Sequence, residues 1–286
     1  SSDLNSMSTR RDFLKGVGLA TAGLTLTPGN VFAMTSKETK HAKGEKVKIA
    51  YIGIGNRGEQ NINEFAKTNM VDVVALCDVD LQGKQCQKVL AKYPNAKRYT
   101  DFRKLFEEYA DHFDAVAVST PDHTHFFVVM MAMKYGKHVY CEKPLMRTFQ
   151  EGELLIEMAN RHPEVVTQLG NQGHSEGNYF QFKAWQEAGI IKDVTSVVAH
   201  MNNDRRWHKY DWNMIKMPEG DAIPQGMDWD VWHGGVRYHN FSKLFHQGDW
   251  RSWYDFGMGA LGDWGAHLLD TVHEFLNLGL PYEVSM

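Results

Sequence analysis

The stretch Val47-Lys-Ile-Ala-Tyr-Ile-Gly53-Ile-Gly55-Asn-Arg-Gly58 joins a short apolar strand to a turn with the pattern G-x-G-x-x-G. A helical pattern follows from Asn61 to Lys67, and a second apolar strand, Val71–Cys77, runs into Asp78. This order of strand, glycine turn, helix, strand and acid is typical of a unit that binds a dinucleotide. A glycine turn without a ligand is the alternative, and the flanking elements favour the dinucleotide.

Each residue of this turn has a physical role in such a unit. Gly53 allows the tight turn, Gly55 lets the backbone approach a pyrophosphate, and Gly58 lets the helix pack on the strand. The start of the helix, with Asn56 and Arg57, offers N–H groups and a partial positive charge to the phosphates. The sequence therefore predicts that these five residues bind the cofactor.

Asp78 indicates which dinucleotide to expect. Its carboxylate would accept hydrogen bonds from the hydroxyls of the adenosine ribose, and its charge would repel a 2′-phosphate. We therefore expect NAD, with NADP the less favoured cofactor.

The first 33 residues have the pattern of a twin-arginine export signal. Arg10 and Arg11 are followed by an apolar stretch from Gly16 to Leu26 and by the small-residue cleavage pattern Val31-Phe-Ala33. An ordinary amphipathic helix is the alternative. We predict a signal peptide over residues 1–33, a linker over 34–45, and a periplasmic enzyme that folds around its NAD before export.

The composition is that of a globular protein with enough apolar residues for two domains, at 43% apolar and 23% charged. A net charge of −4 gives no basic field, so we expect no nucleic-acid partner. No apolar run approaches the ~20 residues that a membrane-spanning helix needs. The cysteines Cys77, Cys86 and Cys141 lack metal-site spacing, so we predict no metal, and Cys77 and Cys141 fit inert core thiols.

Strands and helices alternate over residues 46–170, which predicts an NAD-binding Rossmann domain, a doubly wound parallel sheet of the α/β class. The further predicted strands are Phe113–Ser119, Lys137–Cys141 and Val165–Leu169, and the predicted helices are Leu81–Tyr93, His125–Tyr135 and Phe149–Asn160. Residues 171–286 form the predicted substrate and oligomerisation domain. Its predicted elements are the helices Asn178–Ala188 and Asp263–Leu278 and the strands Val194–Met201 and Tyr282–Met286, with an irregular stretch over residues 202–256. A lone terminal strand leaves this domain little sheet to close on, so we expect it to be C-terminally incomplete.

The turn Ser119-Thr-Pro-Asp-His123 follows a predicted parallel strand. Ligands of open α/β sheets bind beyond the carboxyl ends of the strands, so Thr120, Pro121 and His123 are predicted to contact the cofactor. Metal binding by His123 and His125 is the alternative. No carboxylate or thiolate pattern accompanies them, which favours helix capping and cofactor contact.

A second strand end carries Cys141-Glu-Lys-Pro144. Lys143 would face the nicotinamide side of the cleft, where its ammonium can stabilise an alkoxide that develops as hydride leaves. Glu142 would orient Lys143 or contact the nicotinamide ribose. The alternative is a solvated charge pair of Glu142 and Lys143, and the Glu-Lys dipeptide taken by itself favours this alternative.

A late helix carries the third polar pattern, in which helical spacing places Asp263, His267, Asp270 and Glu274 on one stripe. Asp263 lies one turn before His267, so its carboxylate is predicted to fix the tautomer of the imidazole and raise its basicity. A solvated helix face is the alternative, and the spacing alone favours it.

All eight tryptophans lie from Trp185 onward, in the predicted substrate half. Flat aromatic faces such as that of Trp250, beside polar groups such as Arg205, suit the apolar C–H faces and hydroxyl rim of a sugar. Packing within the loops is the alternative. The stretch Asn171-Gln-Gly-His174, just past a strand end, is predicted to add contacts to the cofactor or the sugar, with Asn171 assigned to the cofactor.

Taken together, the glycine turn, the Glu-Lys-Pro tripeptide and the Gly-x-x-x-Asp-x-x-x-His-x-x-Asp helix resemble the glucose–fructose oxidoreductase / inositol dehydrogenase / rhizopine catabolism family (Gfo/Idh/MocA). The resemblance runs from about Val47 to Met286, and the stretch from Trp250 to Asp263 resembles the exported bacterial branch. It implies a Rossmann domain followed by an α/β domain whose mostly antiparallel sheet covers the active site and mediates homo-oligomers. The chain ends where most of that sheet should follow.

The resemblance also implies roles for particular residues. Lys143 is the catalytic lysine, and Asp263 and His267 are the substrate-binding, acid–base pair; with Arg205 and Trp250 they form the predicted substrate site. The expected reaction is oxidation of a secondary alcohol of a sugar or glycoside, or its reverse, by tightly bound NAD. Two alternatives are a redox-neutral glycosidase that acts through a transient 3-keto sugar and a non-catalytic sugar- or nucleotide-binding protein.

Overall fold

A parallel sheet of six strands forms the centre of the fold in the computed structural model, which describes residues 44–201, 216–246 and 248–285. The strands lie in the order β3-β2-β1-β4-β5-β6, that of a doubly wound Rossmann sheet, so the predicted Rossmann fold of the α/β class is confirmed. The strands are β1 Val47–Ile52, β2 Val71–Cys77, β3 Lys97–Tyr99, β4 Ala115–Val118, β5 His138–Glu142 and β6 Thr167–Gly170.

Five helices connect the strands: α1 Arg57–Lys67, α2 Lys84–Lys92, α3 Phe102–Tyr109, α4 Asp122–Lys134 and α5 Phe149–Arg161. The sequence patterns did not predict β3 or α3. β3 has only three residues, and Lys97 and Arg98 are exposed, so it carries no apolar pattern; it forms because it pairs with β2. α3 starts where the Asp101 side chain accepts a hydrogen bond from the backbone N–H of Arg103.

The central strands β1 and β4 are buried on both faces, which explains their continuous apolar sequences. Successive residues of β1 point to opposite faces, so Ala50 and Ile52 join one core layer with Val116, while Tyr51 joins the other with Leu76. The register pairs Ile52 with Cys77 and with Val118, so the strand ends align at one edge. The turns that follow these strands therefore meet in one place.

The glycine turn packs tightly against β4. Gly53 has φ +79°, and a Cβ placed on it would lie 2.7 Å from the backbone carbon of Ser119. A Cβ on Gly58 would lie 2.0 Å from the carbonyl oxygen of Gly53. Only glycine fits at either position, because in both cases the obstacle is backbone.

The second half contains helices α6 Gly177–Glu187, α7 Trp229–His233 and α8 Gly259–Phe275, with 3-10 turns at Ala110–His112 in the first half and Asp249–Ser252 in the second. Between α7 and α8 lies an aromatic cluster that packs against Val79 of the Rossmann domain; its buried members are Met227, Trp229, Trp232, Phe241, Phe245, Trp250, Trp253 and Phe256. The backbone N–H of Asp228 donates to the carbonyl of Val79 at 2.8 Å. The stretch that lacked periodicity is thus partly folded around its aromatic residues.

Two strand predictions are wrong for the described residues. Residues 194–201 and 282–285 form no strand, although Val194–Met201 and Tyr282–Met286 have strand-like sequences. A strand needs a hydrogen-bonded neighbour, and after Gly170 the described part of the chain offers none. In this part of the chain, no helix is both long enough and apolar enough to cross a membrane.

The close contact at Gly58 predicts a large effect of the smallest substitution. In Gly58→Ala the new methyl group must displace the Gly53 carbonyl, and we expect the free energy of unfolding to fall by about 1–3 kcal/mol. Gly177→Ala is the matched control, since no atom lies within 4 Å of its added Cβ, and alanine there should cost nothing. Urea unfolding measures both; equal stabilities of the two variants would contradict this packing.

Candidate active site

A cavity of about 710 Å³ lies at the carboxyl edge of the sheet. The Rossmann domain contributes Gly53, Gly55 and Asp78 to its wall. The second half contributes residues from the aromatic cluster and from α8, among them Trp250 and Asp263. Both halves of the chain therefore enclose one space, at the place where open α/β sheets bind ligands.

The turn between β1 and α1 fits a dinucleotide pyrophosphate. Gly53, Gly55, Asn56 and Arg57 line the cavity, whereas Gly58 lies behind them as a packing residue. Asn56 has φ +45° and leads directly into α1, so the first backbone N–H groups of the helix lie beside the cavity. An added side chain on Gly55 would approach the Gln85 side chain to 2.5 Å. The turn thus presents backbone and helix terminus, as a phosphate requires.

Asp78 supports the same turn. Its Oδ2 accepts a hydrogen bond from the N–H of Ile54 at 2.9 Å, and its Oδ1 accepts one from the N–H of Asp80 at 3.0 Å. Burial raises the pKa of this carboxyl above its usual value, although the two N–H donors partly oppose that rise. Each carboxylate oxygen can accept a second hydrogen bond, so the group that shapes the turn also has acceptor capacity for ribose hydroxyls.

One end of the cavity is held by a buried ion pair between the two halves. Lys143 Nζ lies 2.7 Å from Asp263 Oδ1 and 2.6 Å from the Asp263 carbonyl oxygen, with the side chains only 10% and 3% exposed. An ammonium has three N–H donors, and two are used here. The third can serve a ligand, because Lys143 also lines the cavity.

His267 lines the same cavity, one turn after Asp263 on α8. The expectation that Asp263 fixes its tautomer is wrong in this structure, because Oδ1 of that carboxylate is bonded to Lys143 and His267 Nδ1 lies 3.1 Å from the Gln172 carbonyl. A carbonyl only accepts, so Nδ1 carries the hydrogen and Nε2 keeps its lone pair. Burial lowers the pKa of His267, and the charge of Lys143 lowers it further.

Glu142 does not orient Lys143; its carboxylate binds several donors instead. Oε1 accepts from Arg57 Nε at 3.1 Å and from Asn61 Nδ2 at 2.9 Å, and Oε2 accepts from Gln172 Nε2 at 2.9 Å. The Tyr140 hydroxyl adds a weaker contact at 3.3 Å. Glu142 thus ties α1, β5 and the turn after β6 together at the cavity wall.

The predicted site residues fall into two groups. Thr120 and Pro121 line the cavity, as does Trp250. His123 does not: its ring is buried against Trp232, and Nε2 donates to the Trp232 carbonyl at 2.7 Å. Asn171 also points elsewhere, since its Nδ2 donates to the Ala266 carbonyl at 3.0 Å. Arg205 lies outside the described residues.

Arg251 is a cavity residue that the sequence did not single out; it follows Trp250, over whose ring its guanidinium stacks at 4.2 Å. Asp122 and Gln172 also line the cavity, and both lie within stretches that were predicted to border it. The strand ends signalled these turns, but the first turn of α4 rotates His123 away and brings Asp122 in. Within the described residues, no group of three or more His, Cys, Asp or Glu side chains could hold a metal ion.

Comparison with protein families identifies the two halves. Residues 47–169 match the oxidoreductase family with an NAD-binding Rossmann fold, and residues 182–284 match the C-terminal alpha/beta domain of the same family. The chain belongs to the Gfo/Idh/MocA oxidoreductase family. The family binds NAD through its Rossmann fold, so NAD is the cofactor, and the geometry of the glycine turn and Asp78 fits it.

The relatives within this family have different names. The chain is 31% identical to an alpha-N-acetylgalactosaminidase from Shewanella oneidensis over 71% of this chain and 48% of that protein. It is 26% identical to an inositol 2-dehydrogenase/D-chiro-inositol 3-dehydrogenase from Lactiplantibacillus plantarum, over 59% of this chain and 48% of that protein. The solved structure of the Bacillus subtilis protein yvaA shares the fold, with a TM-score of 0.57 at 18% identity over 84% of this chain and 55% of that one. The chain spans about half the length of the curated relatives that it matches.

The geometry of Asp78 predicts how cofactor choice can be changed. Asp78→Asn keeps an oxygen that can accept from the Ile54 N–H but removes the negative charge, so we expect the preference for NAD over NADP to fall by about tenfold or more. Dissociation constants for both cofactors measure this. Asp72→Asn is the control, since it removes an exposed charge that faces Lys46 at 3.4 Å. An unchanged NAD/NADP ratio in Asp78→Asn would show that Asp78 does not discriminate.

Proposed function

We propose that this protein is an NAD-dependent oxidoreductase that transfers hydride between a secondary alcohol of a sugar or glycoside and tightly bound nicotinamide. One observation carries the proposal. Lys143, with two of its three N–H donors bound to Asp263 among the described residues, and His267, with its Nε2 lone pair, line the same cavity as the glycine turn that fits NAD. When bound, NAD supplies the hydride acceptor. The residues of the chain supply position, charge and proton transfer.

Lys143 is proposed to hold the oxygen of the reacting alcohol. Its free N–H can donate to that oxygen, and its charge stabilises the oxyanion that develops during oxidation. Asp263 keeps the ammonium in place through two contacts on α8. The pair is almost fully buried, so its field acts with little screening by solvent.

His267 is proposed to take the hydroxyl proton. The Gln172 carbonyl fixes the hydrogen on Nδ1, which leaves Nε2 as the base toward the cavity. A lowered pKa keeps the imidazole neutral at pH 7, ready to accept the proton. In the reverse reaction, the protonated ring returns it.

The cavity wall supports a sugar as substrate. Trp250 and Trp264 give aromatic groups to its lining, and Arg251, Asp122 and Asp263 give polar groups. Apolar C–H faces and a rim of hydroxyls match this combination. The names of the relatives, a glycosidase and an inositol dehydrogenase, agree with a substrate of this class.

The alternative is a redox-neutral glycosidase that acts through a transient 3-keto sugar. The relation to the Shewanella oneidensis alpha-N-acetylgalactosaminidase, at 31% identity, favours keeping it. Product analysis separates the two. A stable keto-sugar with reduced cofactor supports the dehydrogenase, whereas free sugar released without accumulation of NADH supports the glycosidase.

We further propose that the enzyme acts in the periplasm and reaches it by twin-arginine export. The support is the sequence of residues 1–33, with Arg10 and Arg11 before an apolar stretch. A periplasmic enzyme has no free nicotinamide pool to exchange with, which is why the proposal includes tightly bound NAD. Homo-oligomerisation is part of the same proposal.

Replacing Lys143 should abolish turnover without releasing the cofactor. In Lys143→Met we expect kcat to fall by about 100-fold or more, because the oxyanion loses its charged donor. The NAD content should remain that of the unmodified protein, since the glycine turn and Asp78 are intact. Steady-state rates with a panel of glycosides and native mass spectrometry provide the two readouts. Lys92→Met, which removes an exposed lysine, is the control, and a Lys143→Met enzyme as fast as this control would overturn the assignment.

The protonation state of His267 predicts the acid limb of the pH profile. Oxidation requires the unprotonated ring, so the rate should fall as pH drops through the pKa of His267, with a midpoint below the ordinary value of about 6.5. Rates measured between about pH 4 and about pH 8 locate the midpoint of this fall. His267→Gln should lose this limb along with most of its activity; an unchanged limb would assign the base to another residue.

A further inference from the structure

His125 lies in the first turn of α4 and is only 1% exposed. Its two ring nitrogens bind two different backbone carbonyls. Nδ1 lies 2.6 Å from the oxygen of Pro144, and Nε2 lies 2.8 Å from the oxygen of Thr120. Neither carbonyl can donate a hydrogen, so both contacts require an N–H on the ring.

Two donor nitrogens make the ring an imidazolium. A neutral imidazole carries a hydrogen on one nitrogen only, and it would direct a lone pair at a carbonyl oxygen less than 3 Å away. Burial of the ring lowers its pKa, but the Cys141 and Asp122 side chains and the Pro144 carbonyl outweigh burial and raise the pKa of His125 to about 10. Asp122 lies one helical turn before His125; burial raises the pKa of its carboxyl, and the charge of His125 lowers it.

The two carbonyls belong to the two turns that build the catalytic end of the cavity. Thr120 follows β4 and lines the cavity with Pro121. Pro144 follows β5 and comes directly after Lys143. His125 is therefore hydrogen-bonded to two turns: the Thr120 turn on the cofactor side, and the turn that carries Lys143.

We propose that His125, held as an imidazolium, is a positioning residue that fixes the Lys143 turn against the Thr120 turn. The backbone of Lys143 has one further tie, from its N–H to the Gly170 carbonyl at 3.2 Å. The contact from His125 to Pro144 fixes the other side of the lysine, and this directs Nζ to Asp263 and the cavity. The positioning role rests on the proposed function of Lys143, whereas the charge of the ring does not.

His123 is a matched control within the same helix. It is similarly buried, at 2% exposure, but its Nε2 binds the Trp232 carbonyl, which belongs to neither strand-end turn. Burial lowers the pKa of His123 to about 3, so it should be neutral where His125 is charged. The two imidazole rings are thus buried to a similar extent but differ in their expected charge and in the carbonyls that they bind.

The charge is tested first, in the unmodified protein. Nitrogen NMR of the 15N-histidine-labelled full chain at about pH 8, above the ordinary histidine pKa of about 6.5, should show both nitrogens of His125 protonated and only one of His123. The resonances are assigned by their loss in His125→Gln and His123→Gln. An unprotonated nitrogen on His125 at this pH would overturn the proposal.

The positioning role is tested through Lys143 itself. Reductive methylation followed by peptide mass spectrometry should modify Lys143 about tenfold faster in His125→Gln than in the unmodified protein or in His123→Gln, because the lysine turn is released. With a glycoside that the unmodified enzyme oxidises, kcat of His125→Gln should fall by about 100-fold, as expected for a displacement of about 1 Å, with the NAD content retained. Unchanged methylation would overturn the positioning role. If no glycoside reacts, the proposed function fails while the NMR and methylation results still stand.

Discussion

The contact between Lys143 and Asp263 is the interaction on which the rest of the site depends. It joins the end of β5 to the start of α8, 120 residues later, and so bonds the two halves directly at the cavity. Burying both charges is costly, and the short distances and the second contact to the Asp263 carbonyl offset that cost. A pair with this geometry fixes the position of the ammonium, which a catalytic lysine needs.

Glu142 and Lys143, at the end of β5, each bind a different half of the chain. Glu142 binds Arg57 and Asn61 of α1 and so keeps the glycine turn in place. Lys143, the next residue, binds α8 of the second half. Neighbouring residues of an extended chain point in opposite directions, so one dipeptide can connect the cofactor side to the substrate side. His125 secures the same turn from below.

Much of this arrangement follows from local sequence, because glycine turns and strand ends are local features. The turn at Gly53, the acid at Asp78 and the lysine at the end of β5 were all predicted from the sequence, and the structure places them at one cavity. Errors arose where side-chain direction decides. The turn from Ser119 to His123 was predicted to border the cofactor, but Asp122 rather than His123 lines the cavity, and in the stretch after β6 Gln172 lines it rather than Asn171. Sequence spacing placed Asp263 beside His267 but could not show that Lys143, distant in sequence, takes its carboxylate.

The central claim is that NAD held by this chain accepts hydride from a sugar alcohol at the Lys143 end of the cavity. Deuterium transfer tests it most directly. Glycosides deuterated at one carbinol carbon at a time are mixed with the purified protein, and the bound cofactor is weighed by native mass spectrometry. The account predicts that one labelled position passes deuterium to the bound cofactor, and that Lys143→Met prevents it. Consumption of the sugar with a cofactor that stays unlabelled from every position would contradict the account.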